Sequence, residues 1–117
     1  TYKGLAYSDI PNLASSFGYI AASWTLRADL TCQYVCRVLN HMRDTGTTRA
    51  TPRLRPSDRA MPRRPWIDDF SAGYMQRMMP LLPKQGDREP WLNTQNYLRD
   101  RKLLGKGEID DGVMRFT

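Results

Sequence analysis

At 117 residues and 40% hydrophobic content, the chain holds one domain's worth of sequence, or part of a larger one, with a modest core. Its net charge of +6 is concentrated: residues 46–66 carry six Arg against one Asp, whereas residues 67–117 carry eight Lys or Arg against eight Asp or Glu. No apolar run reaches the roughly 18 residues of a membrane span, so no transmembrane segment is expected, and no secretory leader is visible; the two free thiols point to a reducing, cytoplasmic setting.

The chain opens at Thr1 without a methionine and runs straight into apolar sequence, which leads us to expect a missing upstream part. Gly4 to Tyr7 and Leu13 to Tyr19 read as two short strands joined by the turn chemistry of "SDIPN". From Trp24 to about Asp44 the period is helical, with Ser23 at the start and Gly46 as a stop. Ala28, Cys32, Tyr34, Val35, Val38, Leu39 and Met42 fall on one broad arc; Asp29, Gln33, Arg37, Asn40 and Asp44 fall opposite. Leu26 and Leu30 break that rule. They project from the side that is polar further along, so this end of the helix is expected to face another domain or a large ligand.

Cys32 and Cys36, the only cysteines, are expected to be buried structural thiols in a reducing setting. They lack the partners of a zinc site, because His41 is the sole histidine.

Residues 46–65, with prolines at 52, 56, 62 and 65 among the arginines, read as an extended, solvated connection. A short helix is expected from Ser71 to Met79, closed by Pro80. Phe70, Tyr74 and Met78 then recur at i, i+4 and i+8 as a packing stripe. Pro90 suits a first helical turn, so "WLNTQNYLRDRKLL" reads as a helix ending at Gly105. "IDDGVMRF" closes with an Asp-Gly turn and a strand-like tail. On these patterns alone the chain is α/β, mostly helical with short strands.

No catalytic constellation stands out. There is no GxGxxG after a strand and no P-loop, and His41 sits near a helix end, where it complements the dipole. Asp68-Asp69 and Asp110-Asp111 are adjacent pairs of the kind that cap and turn. The stretch "FGYIAASWTLRADL" is different. Small residues lead into a helix start at Ser23, where backbone N–H groups and the positive end of the dipole suit an anionic or polar partner. The plain alternative is that Ser23 caps and Trp24 anchors the core.

The run "YKGLAYSDIPNLASSFGYIAASWTLRADLTCQYVCRVLNHM" closely resembles the C-terminal portion of bacterial FAD-containing monooxygenases of the flavin-containing and Baeyer–Villiger type. The likeness is nearest to the branch with a mycobacterial ethionamide-activating enzyme. It continues through "WIDDFSAGYMQRMMPLLPKQGDREPW", "QNYLRDRKLL" and "DDGVMRF". The resemblance implies the C-terminal part of a two-dinucleotide-binding-domain flavoprotein. Residues 1–45 would end the FAD-binding domain, 46–66 form an Arg/Pro-rich connecting loop, and 67–117 a C-terminal helical segment.

It further implies FAD and NADPH as cofactors, bound mainly by residues outside this chain. The activity would insert one oxygen atom from O2 into a ketone, or add it to sulfur or nitrogen, through a C4a-peroxyflavin. Ser23, Trp24, Thr25 and Leu26 would lie beside the flavin, and Phe70, Tyr74 and Met78 toward the substrate. The family places Asn where this chain has Ala21, which removes a polar contact near the ring. Partners would be the N-terminal remainder of the flavoprotein, a small organic substrate and O2. By itself the chain is expected to be inactive and prone to self-association. Two other readings compete: a docking module without cofactor contact, and a nucleic-acid or anionic-surface binder using Arg49, Arg53, Arg55, Arg59, Arg63 and Arg64.

Overall fold

The longest element of the computed structural model, which describes residues 1–68 and 71–117, is the helix α1, Trp24–Thr45. It begins after Ser23 in extended backbone and ends at Gly46, whose φ of 67° needs no Cβ and turns the chain out of the helix. The C-terminal end stands where local cap chemistry puts it, with Gly46 N–H turned back to Arg43 O and Met42 O. The other elements are β1 (Ala50–Pro52), α2 (Gly73–Met78), α3 (Tyr97–Gly105) and β2 (Met114–Phe116). Short 3-10 turns at Pro56–Asp58 and Met79–Leu81 complete the regular structure.

The core forms where α1 packs on α3 and on the segment around Tyr2. Leu30, Tyr34 and Val38 of α1 meet Leu104 of α3, Trp91, and the N-terminal Tyr2, Leu5 and Ala6. β1 and β2 pair antiparallel, Ala50 opposite Phe116 and Pro52 opposite Met114, and bring Ala50 and Met114 to the same core. Pro52 is tolerated because a two-stranded ribbon leaves each strand an unpaired edge.

Several expectations change. Gly4–Tyr7 is a tight turn rather than a strand, closed by Tyr2 N–H to Ala6 O at 2.8 Å. Lys3 and Gly4 are left-handed there (φ 52° and 69°), and a Cβ on Gly4 would collide with Asn93 and stand 2.9 Å from Arg27 Nη2. Leu13–Tyr19 has no regular structure. A strand needs a partner ladder, and among the described residues the one backbone bond this segment makes is Ser15 N–H to Leu5 O, at 2.7 Å. The third helix starts at Tyr97, capped by Asn96, rather than at Pro90; the preceding residues form turns that carry Trp91 into the core.

The arc expected on α1 is split. Tyr34 and Val38 are buried, but Cys32 and Leu39 are exposed, as is Cys36 beside the arc, because α3 and the N-terminal turn cover only one side of the helix. The thiols are therefore exposed, not buried. Arg37, expected in solvent, is half-buried and donates to Leu104 O (2.7 Å) and Gly107 O (2.5 Å), satisfying carbonyls at the end of α3. Leu30 is covered within the chain while Leu26 stays 39% exposed. No residue of α2 is buried, so the expected Tyr74–Met78 packing stripe lies on the surface; Phe70 and Asp69 lie outside the described residues.

Nor is the arginine-proline stretch merely solvated. Asp58 is buried, accepting two bonds from the Arg55 guanidinium (2.6 and 3.0 Å) and one from Trp91 Nε1 (2.9 Å). The bidentate Arg55 pair first, and the Trp91 bond with it, lower the Asp58 pKa from 3.8 to about 2. A carboxyl whose folded pKa is depressed adds stability that is complete above its unfolded value and is lost as pH falls through the folded one. We expect Asp58→Asn to lower the urea midpoint clearly at pH 7 and to differ progressively less from the parent between about pH 4 and pH 2. A gap that stays constant across that window would show that the carboxylate's charge is not what matters.

Candidate functional site

Seven consecutive residues, 20–26, are exposed at the start of α1, among them Ile20 (45%), Trp24 (48%) and Leu26 (39%). Apolar side chains in the first turn of a 22-residue helix ordinarily find cover. Ser23 holds the N-cap position but makes no side-chain cap bond; its Oγ pairs with Thr25 Oγ1 at 3.0 Å. Leu26 N–H reaches the backbone O of Ser23 at 3.2 Å, and the N–H groups of Trp24 and Thr25 are left without a side-chain cap at the positive end of the helix dipole. No acidic residue in that turn offsets the charge.

The helix start is open but firmly held from behind. Arg27, one turn in, is 2% exposed and forms an ion pair of 2.9 Å with the equally buried Asp100 of α3. Arg27 Nη2 also donates to Lys3 O at 2.5 Å. Tyr19 O–H donates to Asp100 Oδ2 at 2.5 Å, and Thr94 Oγ1 donates to Asp100 Oδ1. Burial first, and the Asp100 bond next, push the Tyr19 pKa well above the usual phenol value, so Tyr19 stays a donor. Ile20 N–H, next in the chain, is fixed by Gln95 Oε1 at 3.0 Å.

An aromatic group completes the wall. Phe17 stacks edge-on against both Trp24 (4.7 Å) and Trp66 (4.6 Å). Between Phe17 and Tyr19, Gly18 lies so close that a Cβ there would fall inside the Trp24 indole and 2.6 Å from its backbone oxygen. The indole N–H of Trp66 is buried and has no hydrogen-bond partner among the described residues. The residues singled out in the sequence, Ser23 to Leu26, are therefore together and exposed at one helix end. Tyr74 (62% exposed) and Met78 (48%) form a separate surface on α2.

The residues that position this end were missed. Tyr19, Arg27 and Asp100 lie up to 81 positions apart, and only Arg27's place on the Leu30–Tyr34 side of α1 could have hinted at a buried partner. The other polar cluster is structural. Asp111 accepts from Tyr2 O–H (2.5 Å) and from the N–H groups of Val113 and Met114, forming the Asp-Gly turn expected there. Burial pushes the Tyr34 hydroxyl beside it up to about 12. Among the described residues, three of the six loop arginines are engaged with carboxylates, Arg53 with Asp9, Arg55 with Asp58 and Arg64 with Asp68. Among the described residues there is no group of three or more His, Cys, Asp or Glu able to hold a metal, and no helix is long and apolar enough to cross a membrane.

No protein-family model and no solved structure matches the chain. Curated proteins do. The chain is 48% identical over 116 residues to the FAD-containing monooxygenase EthA of Mycobacterium tuberculosis, covering 99% of this chain and 23% of that protein. It is 42% identical over 119 residues to the probable FAD-binding monooxygenase AlmA of Acinetobacter sp. (98% of this chain, 23% of the relative). To the putative FAD-containing monooxygenase MymA of M. tuberculosis it is 43% identical over 120 residues (100% and 23%). The chain thus spans about a quarter of the length of these relatives.

Proposed function

We infer, from the homology of this chain along 99% of its length to the C-terminal part of FAD-containing monooxygenases, that it works as the C-terminal segment of an FAD- and NADPH-dependent monooxygenase. The observation that carries the reading is the open, uncapped and rigidly held start of α1. A ligand with polar or negative edge atoms is what such an end is suited to receive. The chain's residues fit a flavin there: Ala21 and Ala22 allow close approach of backbone, Trp24 offers a flat surface, and no Ser23 side-chain cap claims the N–H groups of Trp24 and Thr25. Leu26, apolar and 39% exposed, would be covered by the same ring system.

When bound, FAD would supply the electron transfer from NADPH to O2 and the transfer of one oxygen atom to a ketone carbon, a sulfur or a nitrogen. The chain's own part is to hold the ring edge and to favour negative charge upon it through the helix dipole. Tyr74 and Met78 of α2 are a second exposed surface, assigned more loosely to the substrate side. Nucleotide-binding residues would come from the upstream remainder, and the small organic substrate and O2 would meet the flavin between the two parts, in the cytoplasm.

The test is a hybrid in which this chain replaces the matching residues of the M. tuberculosis relative. We expect a yellow protein with stoichiometric FAD that consumes O2 and NADPH. A folded, colourless hybrid defeats the reading. Trp24→Ala separates it from the docking-module alternative: flavin absorbance and potential shift if Trp24 lies on the ring and stay fixed if it serves assembly alone.

A further inference from the structure

Half of the apolar arc of α1 is unused inside this chain. Ala28, Cys32, Val35 and Leu39 fall within a strip of about 60° along the helix at 100° per residue. Leu39 is 58% exposed, Cys32 is exposed, and Ala28 and Val35 are only half-buried. Cys36 borders the strip and is exposed as well. Beside it opens a groove of about 360 Å³, lined by Leu5, Leu13, Ala14, Val35, Leu39 and Met42 and by no charged residue. A helix buried on one side and apolar on the adjoining side is built for two neighbours, and the chain supplies one.

We propose that this strip and groove are the face on which the upstream three quarters of the monooxygenase dock. The proposal rests on the function inferred above, and three observations select this occupant. The relatives of this chain devote only 23% of their length to the matched segment, so a far larger body of protein has to be joined to it. The strip begins at Ala28, one turn after Trp24 on the same side of α1, so it adjoins the exposed end assigned to the flavin, and one body can cover both. Its surface is uncharged, as the fully buried centre of a permanent interface is and as a solvated helix face is not.

Cys32 and Cys36 provide a direct readout. Maleimide labelling, followed by mass spectrometry of the peptide that carries both, is compared between the chain and the hybrid described above. We expect rapid labelling in the chain and at least tenfold slower labelling in the hybrid. Equal rates in a hybrid holding stoichiometric FAD overturn the docking face and leave the proposed function standing; equal rates in a hybrid without FAD overturn both. Slow, concentration-dependent labelling of the chain itself assigns the strip to a second copy instead and overturns the proposal. Leu39→Asp gives an independent check. Being exposed, it should leave the chain's own unfolding midpoint unchanged and lower the yield of FAD-bound hybrid at least fivefold; an unchanged yield overturns the proposal.

Discussion

Asp100→Ala should cost the chain about 3–5 kcal/mol in urea unfolding, the largest single effect expected in the molecule. The carboxylate is 1% exposed and is the only anion paired with the buried Arg27 guanidinium among the described residues. Deleting it leaves a charge in the core without a counter-ion, and it orphans the hydroxyls of Tyr19 and Thr94 at the same time. Removing the pair together is a different experiment. Arg27→Met with Asp100→Leu leaves no uncompensated charge, so the double variant should be more stable than Asp100→Ala, the mark of strong coupling. Asp100→Asn keeps the shape and some hydrogen bonds and should fall between. A cost below about 1 kcal/mol for Asp100→Ala would place the pair in water, in the range of surface ion pairs. Tyr19 and Arg27 would then not hold the start of α1.

The same cluster shows where the sequence was readable and where it was not. The end of α1 followed from local chemistry, a left-handed Gly46 after the last turn, and its start at Trp24 from the helical period, since Ser23 makes no side-chain cap bond. The Asp111–Gly112 turn and the β2 tail are local in the same sense. Burial is not local. Cys32 and Tyr34 belong to one predicted apolar arc, yet Tyr34 is 1% exposed and Cys32 is open, because α3 arrives on only one side. Gly4–Tyr7 has the composition of a strand, but Lys3 and Gly4 turn left-handed and bring Gly4 against Asn93 and Arg27, distant in sequence, with no room for a Cβ. Pro90 suits a helix start or a turn equally well, and the burial of Trp91 over Asp58 favours the turn. For the site, the resemblance led to Ser23–Leu26; what makes that end rigid depends on Asp100, which no period or motif connects to Tyr19.

Gly18→Ala is the smallest change expected to weaken the flavin-facing role proposed for the start of α1. Gly18 does not need its freedom for an unusual φ; it needs the space. An added Cβ enters the Trp24 indole and comes within 2.6 Å of the Trp24 carbonyl oxygen. The indole can swing away, since Trp24 is 48% exposed, but the carbonyl is part of the first turn of α1 and moves only if the turn moves. Overpacking of this kind costs about 1–3 kcal/mol, so the chain should still fold, with a lowered urea midpoint and a near-normal circular dichroism spectrum. The effect on FAD should be larger than the effect on folding, because a helix end displaced by an ångström no longer presents its N–H groups to one ring edge. In the hybrid with the M. tuberculosis relative we expect FAD affinity to drop at least tenfold, about 1.4 kcal/mol. Combining Gly18→Ala with Trp24→Ala tests the division between ring and backbone. It relieves the collision with the indole and leaves the one with the carbonyl, so the urea midpoint should be rescued in part while FAD affinity stays low. Full FAD affinity in the Gly18→Ala hybrid would mean that the first turn of α1 does not touch the flavin.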